Sequence, residues 1–294
     1  GGKVSCCHGR ADGLIPVACW FSLPMNLSFR TYHLDYSAPL DVGLQRELEL
    51  MDAKLRDQLC MTAAPPAVGL LDLKRFRLAL LRPDREEYAA SLPKIGILLA
   101  YFQLHPHAVA NLAAQTRREL GLMIKASDNE LAAKFSQELG LARIQSVLNS
   151  YHFYAPNRGG GLWLGKHYGR TGERLGSPVG DNSHAATVRQ VVRYFLLLEQ
   201  GKLISPEASR VMREIFASPE IPHDEIKFVK ALAGRPVEII RKWGAWEDWA
   251  HDAAVVTGGG RHYILVALTR HPRGAEYLEA LAQAVDDLIC RDLG

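Results

Sequence analysis

Apolar residues first recur at helical spacing between positions 44 and 59, where Leu44, Leu48, Leu50, Met51, Leu55 and Leu59 predict an amphipathic helix. Two short apolar runs follow, 67–73 and 76–81, joined by the polar pair Lys74-Arg75, and read as strands. From about 92 to 216 the pattern turns helical, with helices predicted over 95–104, 109–122, 130–139, 185–199 and 206–216. Residues 151–182 interrupt this zone. They are rich in Gly, Tyr, Arg and Asn and have no period, and a loop this long inside a compact protein is usually functional or mobile. Strand character returns over 237–241, 253–256 and 263–269, the last two forming a hairpin around Gly258-Gly259-Gly260. A closing helix over 274–289 carries Leu278, Leu281, Val285 and Leu288 on one face.

Strands at both ends with helices between them predict an α+β fold: one antiparallel sheet with flanking helices, plus an all-helical lobe. A cleft between the two is the usual place for a ligand. Residues 31–294 read as a single domain, with an α/β lobe over 40–90 and 220–294 and a helical lobe over 91–219. Residues 1–30 read as an extension outside that domain. Its apolar run 14–25 is broken by Pro16 and Pro24 and is too short for a bilayer span. The run is either the remnant of an export signal after Arg10 or a stretch upstream of a start at Met25, which is the reading we prefer.

At 294 residues, a chain buries about three quarters of its unfolded surface without staples. The charge balance, 35 Lys+Arg against 32 Asp+Glu, leaves +3 spread along the chain, which speaks against a nucleic-acid partner. Five cysteines, at 6, 7, 19, 60 and 290, include no C-x-x-C pair, so neither a disulfide framework nor a zinc ribbon is indicated. His105-Pro106-His107 and Cys6-Cys7-His8 lack two-ended metal-ligand spacing, and no cofactor or metal is expected. Residues 160–166 fit G-x-x-x-x-G-K, but His167 stands where a phosphate loop needs Ser or Thr.

Three short segments carry candidate chemistry. Ser91-Leu92-Pro93-Lys94 opens the apolar helix, and Ser91 is the only serine with a lysine three places on. One helical turn brings such a lysine to the serine's side, and a desolvated amine can take a hydroxyl proton. The plainer reading is an N-cap serine with an exposed lysine. Ser127-Asp128-Asn129 lies between two helices, where the same residue types serve as caps, but a hydroxyl and an amide two apart also suit a turn entering a cleft. Lys242-Trp243-Gly244 ends a strand, where a cation can hold a carboxylate and glycine admits a substrate backbone; the alternative is a protective edge charge.

In this order the three segments resemble the signature Ser-x-x-Lys, Ser-Asp-Asn and Lys-Thr-Gly of the serine hydrolases of the class A β-lactamase and penicillin-binding protein (DD-peptidase) superfamily. The context of residues 89–99, Met123-Ile124, Gly201-Lys202-Leu203 and 251–256 is similar too, and the likeness spans about 43–292. The resemblance implies a β-lactamase-like fold and a bacterial enzyme forming an acyl-serine on Ser91, with Lys94 as base. It implies Ser127 as proton relay, Asn129 as substrate amide contact, and Lys242 as carboxylate ligand or helper of Ser127. Ser91 and Ala245 would supply oxyanion N–H groups beside Gly244, and Trp243 an apolar wall. The implied partner is a small-molecule or peptide substrate of β-lactam, ester or D-alanyl peptide type. The implied localisation is periplasmic or extracytoplasmic, with the cytoplasm left open because no clear export signal is read.

Three departures shape the expected activity. Ser127 follows Ser91 by only 36 residues (127 − 91), so part of the roof over the cleft is missing. Trp243 replaces the family's threonine, and indole cannot accept the hydroxyl's role toward a carboxylate. No Glu-x-x-Leu-Asn segment occurs between 151 and 184; Glu173 is the sole glutamate there, and the matching position falls nearer Tyr168. Both are kept as candidates for the deacylation base. The expected function is a serine hydrolase without efficient β-lactamase turnover; the alternatives are a true class A-like β-lactamase and a catalytically impaired penicillin-binding-like module.

Overall fold

A computed structural model describes residues 27–169 and 172–292; the expectations for residues 1–26, including Cys6-Cys7-His8, lie outside the described residues. The chain divides into two compact units, Gly1–Tyr32 and His33–Gly294. The first contributes one short helix, α1 (Leu27–Thr31). Everything that follows belongs to the second.

Asp41 starts α2 (Val42–Gln58) by accepting the Leu44 N–H at 2.7 Å, and the helix buries Leu44, Leu48 and Leu55. The hairpin of β1 (Ala67–Asp72) and β2 (Arg77–Leu81) follows as the apolar runs predict. After β3 (Glu87–Tyr88) come the helices α3 (Lys94–Leu104), α4 (Ala114–Lys125), α5 (Asn129–Leu139) and α6 (Leu141–Ser150). Among its described residues the aperiodic stretch holds β4 (Tyr154–Ala155), a 3-10 turn at Pro156–Arg158, β5 (Gly160–Gly161) and β6 (Trp163–Leu164). Then come β7 (His184–Ala186), α7 (Val188–Glu199), α8 (Pro206–Ala217), α9 (Lys227–Ala231), β8 (Glu238–Trp246), β9 (Trp249–Gly258), β10 (Arg261–Arg270) and α10 (Gly274–Arg291).

Five strands make an antiparallel sheet in the order β2-β1-β10-β9-β8, so the two ends of the chain meet in its centre, where Leu70 faces Leu265. The β9–β10 turn is Gly259-Gly260, both with positive φ, as a two-residue hairpin turn demands. On one face of the sheet Val68, Leu70, Val256 and Leu265 pack against Leu48 of α2 and Leu278, Leu281 and Val285 of α10. Against the other face lies α7, whose Val188 and Val192 approach Gly69 so closely that a Cβ there would stand 2.6 and 2.8 Å from them.

Several elements differ from the pattern reading. Helix α7 starts at Val188 rather than 185 because His184–Ala186 are taken into a small sheet between β3 and β6. Helix α4 begins later, after a 3-10 turn at Pro106–Val109. Helix α6 was not expected; Gly140, at φ 84, separates it from α5. Strands β8 and β9 run on to Trp246 and Trp249 and close through the turn Glu247-Asp248. The long loop is held by one carboxylate. Glu86 accepts from Tyr154 Oη at 2.8 Å, from Gly180 N and Asn182 Nδ2 at 3.1 Å, and from Ser177 Oγ.

The seating of α7 generates a test. Gly69→Val forces overlap with Val188 and Val192 and should lower unfolding stability by about 1–3 kcal/mol in denaturant titration. Gly43→Ala, whose Cβ would meet only Asp41 Oδ1 at 3.5 Å, should leave stability unchanged or slightly raised.

Candidate active site

Ser91 stands on a turn that the rest of the molecule fixes from three sides. Tyr88 O lies 2.8 Å from His251 Nε2 of β9, Ala89 N donates to His184 O at 2.9 Å, and Ala90 O accepts from Tyr168 Oη at 3.0 Å. Between them Ala90 has φ 48, a left-handed conformation costly for a residue with a Cβ and persistent only where its surroundings over-determine it. The result is a chain that leaves β3 sharply and presents Ser91, half-buried, just ahead of α3. The N-cap position of α3 is Pro93, without a side-chain cap, so Ser91 does not cap the helix as expected. Its hydroxyl makes no hydrogen bond among the described residues.

One turn on, Lys94 is wholly buried. Its Nζ donates to Ser127 O at 2.5 Å and to Asn129 Oδ1 at 2.7 Å, and lies 3.2 Å from Ser127 Oγ. Burial lowers its pKa from the ordinary 10.5 to about 7, with Asp128 opposing the shift. The segment Ser127-Asp128-Asn129 divides its work. Asp128 caps α5 by accepting the Leu131 N–H at 2.9 Å, while Ser127, at φ 57, and Asn129 turn toward Lys94.

Lys242 arrives from the other side, on β8. It too is fully buried, and its Nζ donates to Ser127 Oγ at 2.8 Å and to Trp243 O at 2.7 Å. Its pKa is held well below the usual lysine range, by burial first and then by the charges of Lys94, Arg241 and Lys227. Two buried amines therefore converge on one hydroxyl, and their desolvation favours the neutral form of at least one of them.

Trp243 does not take over the role of a threonine hydroxyl. Its Nε1 is bonded outward to Asp224 Oδ2 at 3.1 Å, and its ring lies 4.6 Å from Lys227 Nζ and 5.1 Å from Lys242 Nζ. At Gly244, β8 runs close against the serine turn. A Cβ there would stand 2.8 Å from Ala89 O and 3.1 Å from Ser91 N. Ala245 follows, exposed. The two-residue turn makes Trp246–Trp249 a closing hydrogen-bonded pair, and strict alternation leaves Ala245 with its N–H directed away from β9, to the open edge.

Of the two further candidates, Tyr168 joins the group and Glu173 does not. The Tyr168 ring stacks on His184 at 4.4 Å and is covered by Lys94 Nζ at 4.6 Å from its centroid. Burial pushes its phenol well above the ordinary value, so it stays protonated and donates. Glu173 is exposed in the loop and makes no hydrogen bond or ion pair among the described residues. His184, His251 and Lys227 are further site neighbours with no spacing signal in the sequence, although His251 opens the segment 251–256 and His184 follows the long loop. Among the described residues no group of three or more His, Cys, Asp or Glu side chains could hold a metal.

Comparison with known proteins agrees with this architecture. No curated protein matches the sequence. Among solved structures, a beta-lactamase from Sphaerobacter thermophilus DSM 20745 superposes with a TM-score of 0.65 at 13% identity, over 82% of this chain and 95% of that one. PBP-A gives 0.62 at 15%, over 82% and 96%, and a class A beta-lactamase from Mycobacterium abscessus gives 0.62 at 14%, over 81% and 98%. At these identities the likeness establishes the fold. The family model described as "Beta-lactamase enzyme family" matches residues 110–290, well over half of the sequence. The chain thus belongs to the beta-lactamase enzyme family.

Proposed function

We propose that the protein acylates itself on Ser91 with an amide, ester or β-lactam and releases the acyl group slowly. The observation that carries this reading is the convergence of Lys94 and Lys242 on Ser127 Oγ, at 3.2 and 2.8 Å, with the Lys94 pKa lowered to about 7. An amine half-deprotonated near neutrality is suited to general-base work. As Ser91 Oγ bonds to the substrate carbonyl carbon, its proton passes to Lys94 Nζ and the carbonyl electron pair moves onto oxygen. The N–H groups of Ser91 and Ala245 receive that oxyanion. When the oxyanion collapses, the bond to the leaving group breaks. The leaving atom takes the Ser127 proton while Ser127 is reprotonated from Lys94, which leaves an ester on Ser91, the proton that Ser91 gave up on the leaving group, and Ser127 Oγ and Lys94 Nζ in their starting protonation states. Lys242 holds Ser127 Oγ in place throughout.

Slow release follows from what surrounds Lys94. Among the described residues its hydrogen-bond and ring partners are Ser127, Asn129 and the face of Tyr168, none of them a carboxylate that could activate a water, and Asp128 is engaged as a helix cap. A protonated phenol bonded to Ala90 O is a donor rather than a base. A point mutant of PBP-A, similar in fold, is described as an acyl-enzyme complex with penicillin G, which favours β-lactams as acylating probes here.

Incubation with nitrocefin or p-nitrophenyl acetate should give an acyl adduct by intact mass, with colour release that stalls near one equivalent for nitrocefin, and Ser91→Ala should abolish both. Rapid nitrocefin turnover would refute the slow-release argument. The acylation rate should rise about tenfold per pH unit below 7 and level off above it, because protonated Lys94 cannot accept the Ser91 proton. Gly244→Ala should fold, as judged by circular dichroism, yet slow acylation by about 100-fold, since a Cβ 2.8 Å from Ala89 O displaces the Ser91 turn.

A further inference from the structure

Lys227 is the third buried lysine of this region and has no part in the proton path. It opens α9 at φ 52, and α9 is fastened to β9 where Phe228 N donates to Asp252 Oδ2 at 3.2 Å. The side chain is buried, and its Nζ donates to Gly244 O at 2.8 Å and to His251 O at 3.3 Å. The remaining direction is closed by the Trp243 ring, 4.6 Å away. Two carbonyls and an aromatic face use all the donors an ammonium has. Lys227 is therefore turned into the protein and not held out toward a substrate.

The identity of one of those carbonyls gives the arrangement its meaning. Gly244 C=O and Ala245 N–H are the two ends of a single peptide unit, whose resonance couples charge drawn to the oxygen with charge left on the N–H. Hydrogen bonds in series polarise one another, the more so when one donor is charged and the surroundings are dry. The N–H at the far end points to the open edge of β8, next to the Ser91 turn that Gly244 touches.

We infer that Lys227 is a positioning residue that polarises the Gly244–Ala245 peptide from behind, so that the Ala245 N–H meets the oxyanion as a stronger and better fixed donor. The inference rests on the acyl-serine reading above and extends it to a residue that touches neither substrate nor nucleophile. Such a device is set before the reaction starts and needs no reorganisation during it. Removing a whole oxyanion donor costs roughly 100- to 1000-fold, so weakening one should cost on the order of 10-fold.

The test compares the wild type with Lys227→Met, using penicillin G as the acylating probe. Intact mass and stopped-flow give the acylation rate, and infrared difference spectra give the stretch of the acyl-ester carbonyl, which a strong oxyanion hole lowers. Lys227→Met should acylate about 10-fold more slowly, with the affinity of the initial complex unchanged and the carbonyl stretch moved to higher wavenumber. Lys227→Arg should recover part of both. Where the methionine variant fails to fold, Lys227→Gln, which keeps a donor and drops the charge, should show the same shifts at reduced size. An adduct formed at the wild-type rate with an unmoved stretch in Lys227→Met or Lys227→Gln overturns the inference and leaves the acyl-serine reading standing. No adduct in the wild type overturns both.

Discussion

The structure turns on a single hydroxyl. Ser127 Oγ is reached by Lys94 from the helical side and by Lys242 from the sheet, and so ties those two parts of the site together. Burying one ammonium is costly, and burying two beside each other is more so, because each raises the expense of charging the other. The protein offsets this with fixed carbonyl and amide oxygens: Ser127 O and Asn129 Oδ1 for Lys94, and Trp243 O for Lys242. Remove the hydroxyl between them and two solvent-free amines would face one another with nothing to share.

Holding that meeting point requires the backbone to do unusual things at its corners. Ala90, Ser127, Lys227 and Glu247 all have positive φ without being glycine, and each lies where the chain enters or leaves an element that borders the site. Such conformations cost on the order of 1–3 kcal/mol each and survive because the neighbours leave no alternative. At Ala90 the neighbours are His251, His184 and Tyr168; at Lys227 they are Asp252 and the two carbonyls on β8 and β9. The sheet supplies the rigidity. Because β9 is paired on both sides, the atoms it lends to the serine turn have little freedom to drift.

Much of this was legible in the residues. The strands on either side of Gly259-Gly260, the hairpin at Lys74-Arg75 and the leucine face of α10 follow from periodicity and turn chemistry alone. Ser91, Lys94, Ser127, Asn129 and Lys242 stand out through three short motifs and the resemblance that their order carries, and of these Lys94, Ser127, Asn129 and Lys242 are joined by hydrogen bonds. What escaped depends on partners distant in sequence. Ala185-Ala186 read as helix because their apolar run is continuous with α7, and pairing with β3 and β6 makes them part of a strand. The extension of β8 to Trp246 is favoured by pairing with β9, which overrides the glycine in its middle. Lys227 carries no motif at all: its meaning lies in which carbonyl it meets, 17 residues away. Ser91 misled in a smaller way, since a serine before a helix suggests a cap, whereas Pro93 takes that position and leaves the hydroxyl uncommitted.

The buried lysines also make folding stability depend on pH. An unfolded chain would hold protons on Lys94, Lys227 and Lys242 up to the ordinary lysine range, while the folded chain gives up that of Lys94 at about 7 and that of Lys227 at about 8. Between those values and about 10.4 the unfolded state binds more protons, so folding stability climbs with pH across this window and falls as the solution is brought down toward 7. For Lys94 alone the difference amounts to on the order of 5 kcal/mol. The penalty from the lysines is thus complete below about pH 7, where the buried amines are forced to take up the protons that their surroundings were built to keep off.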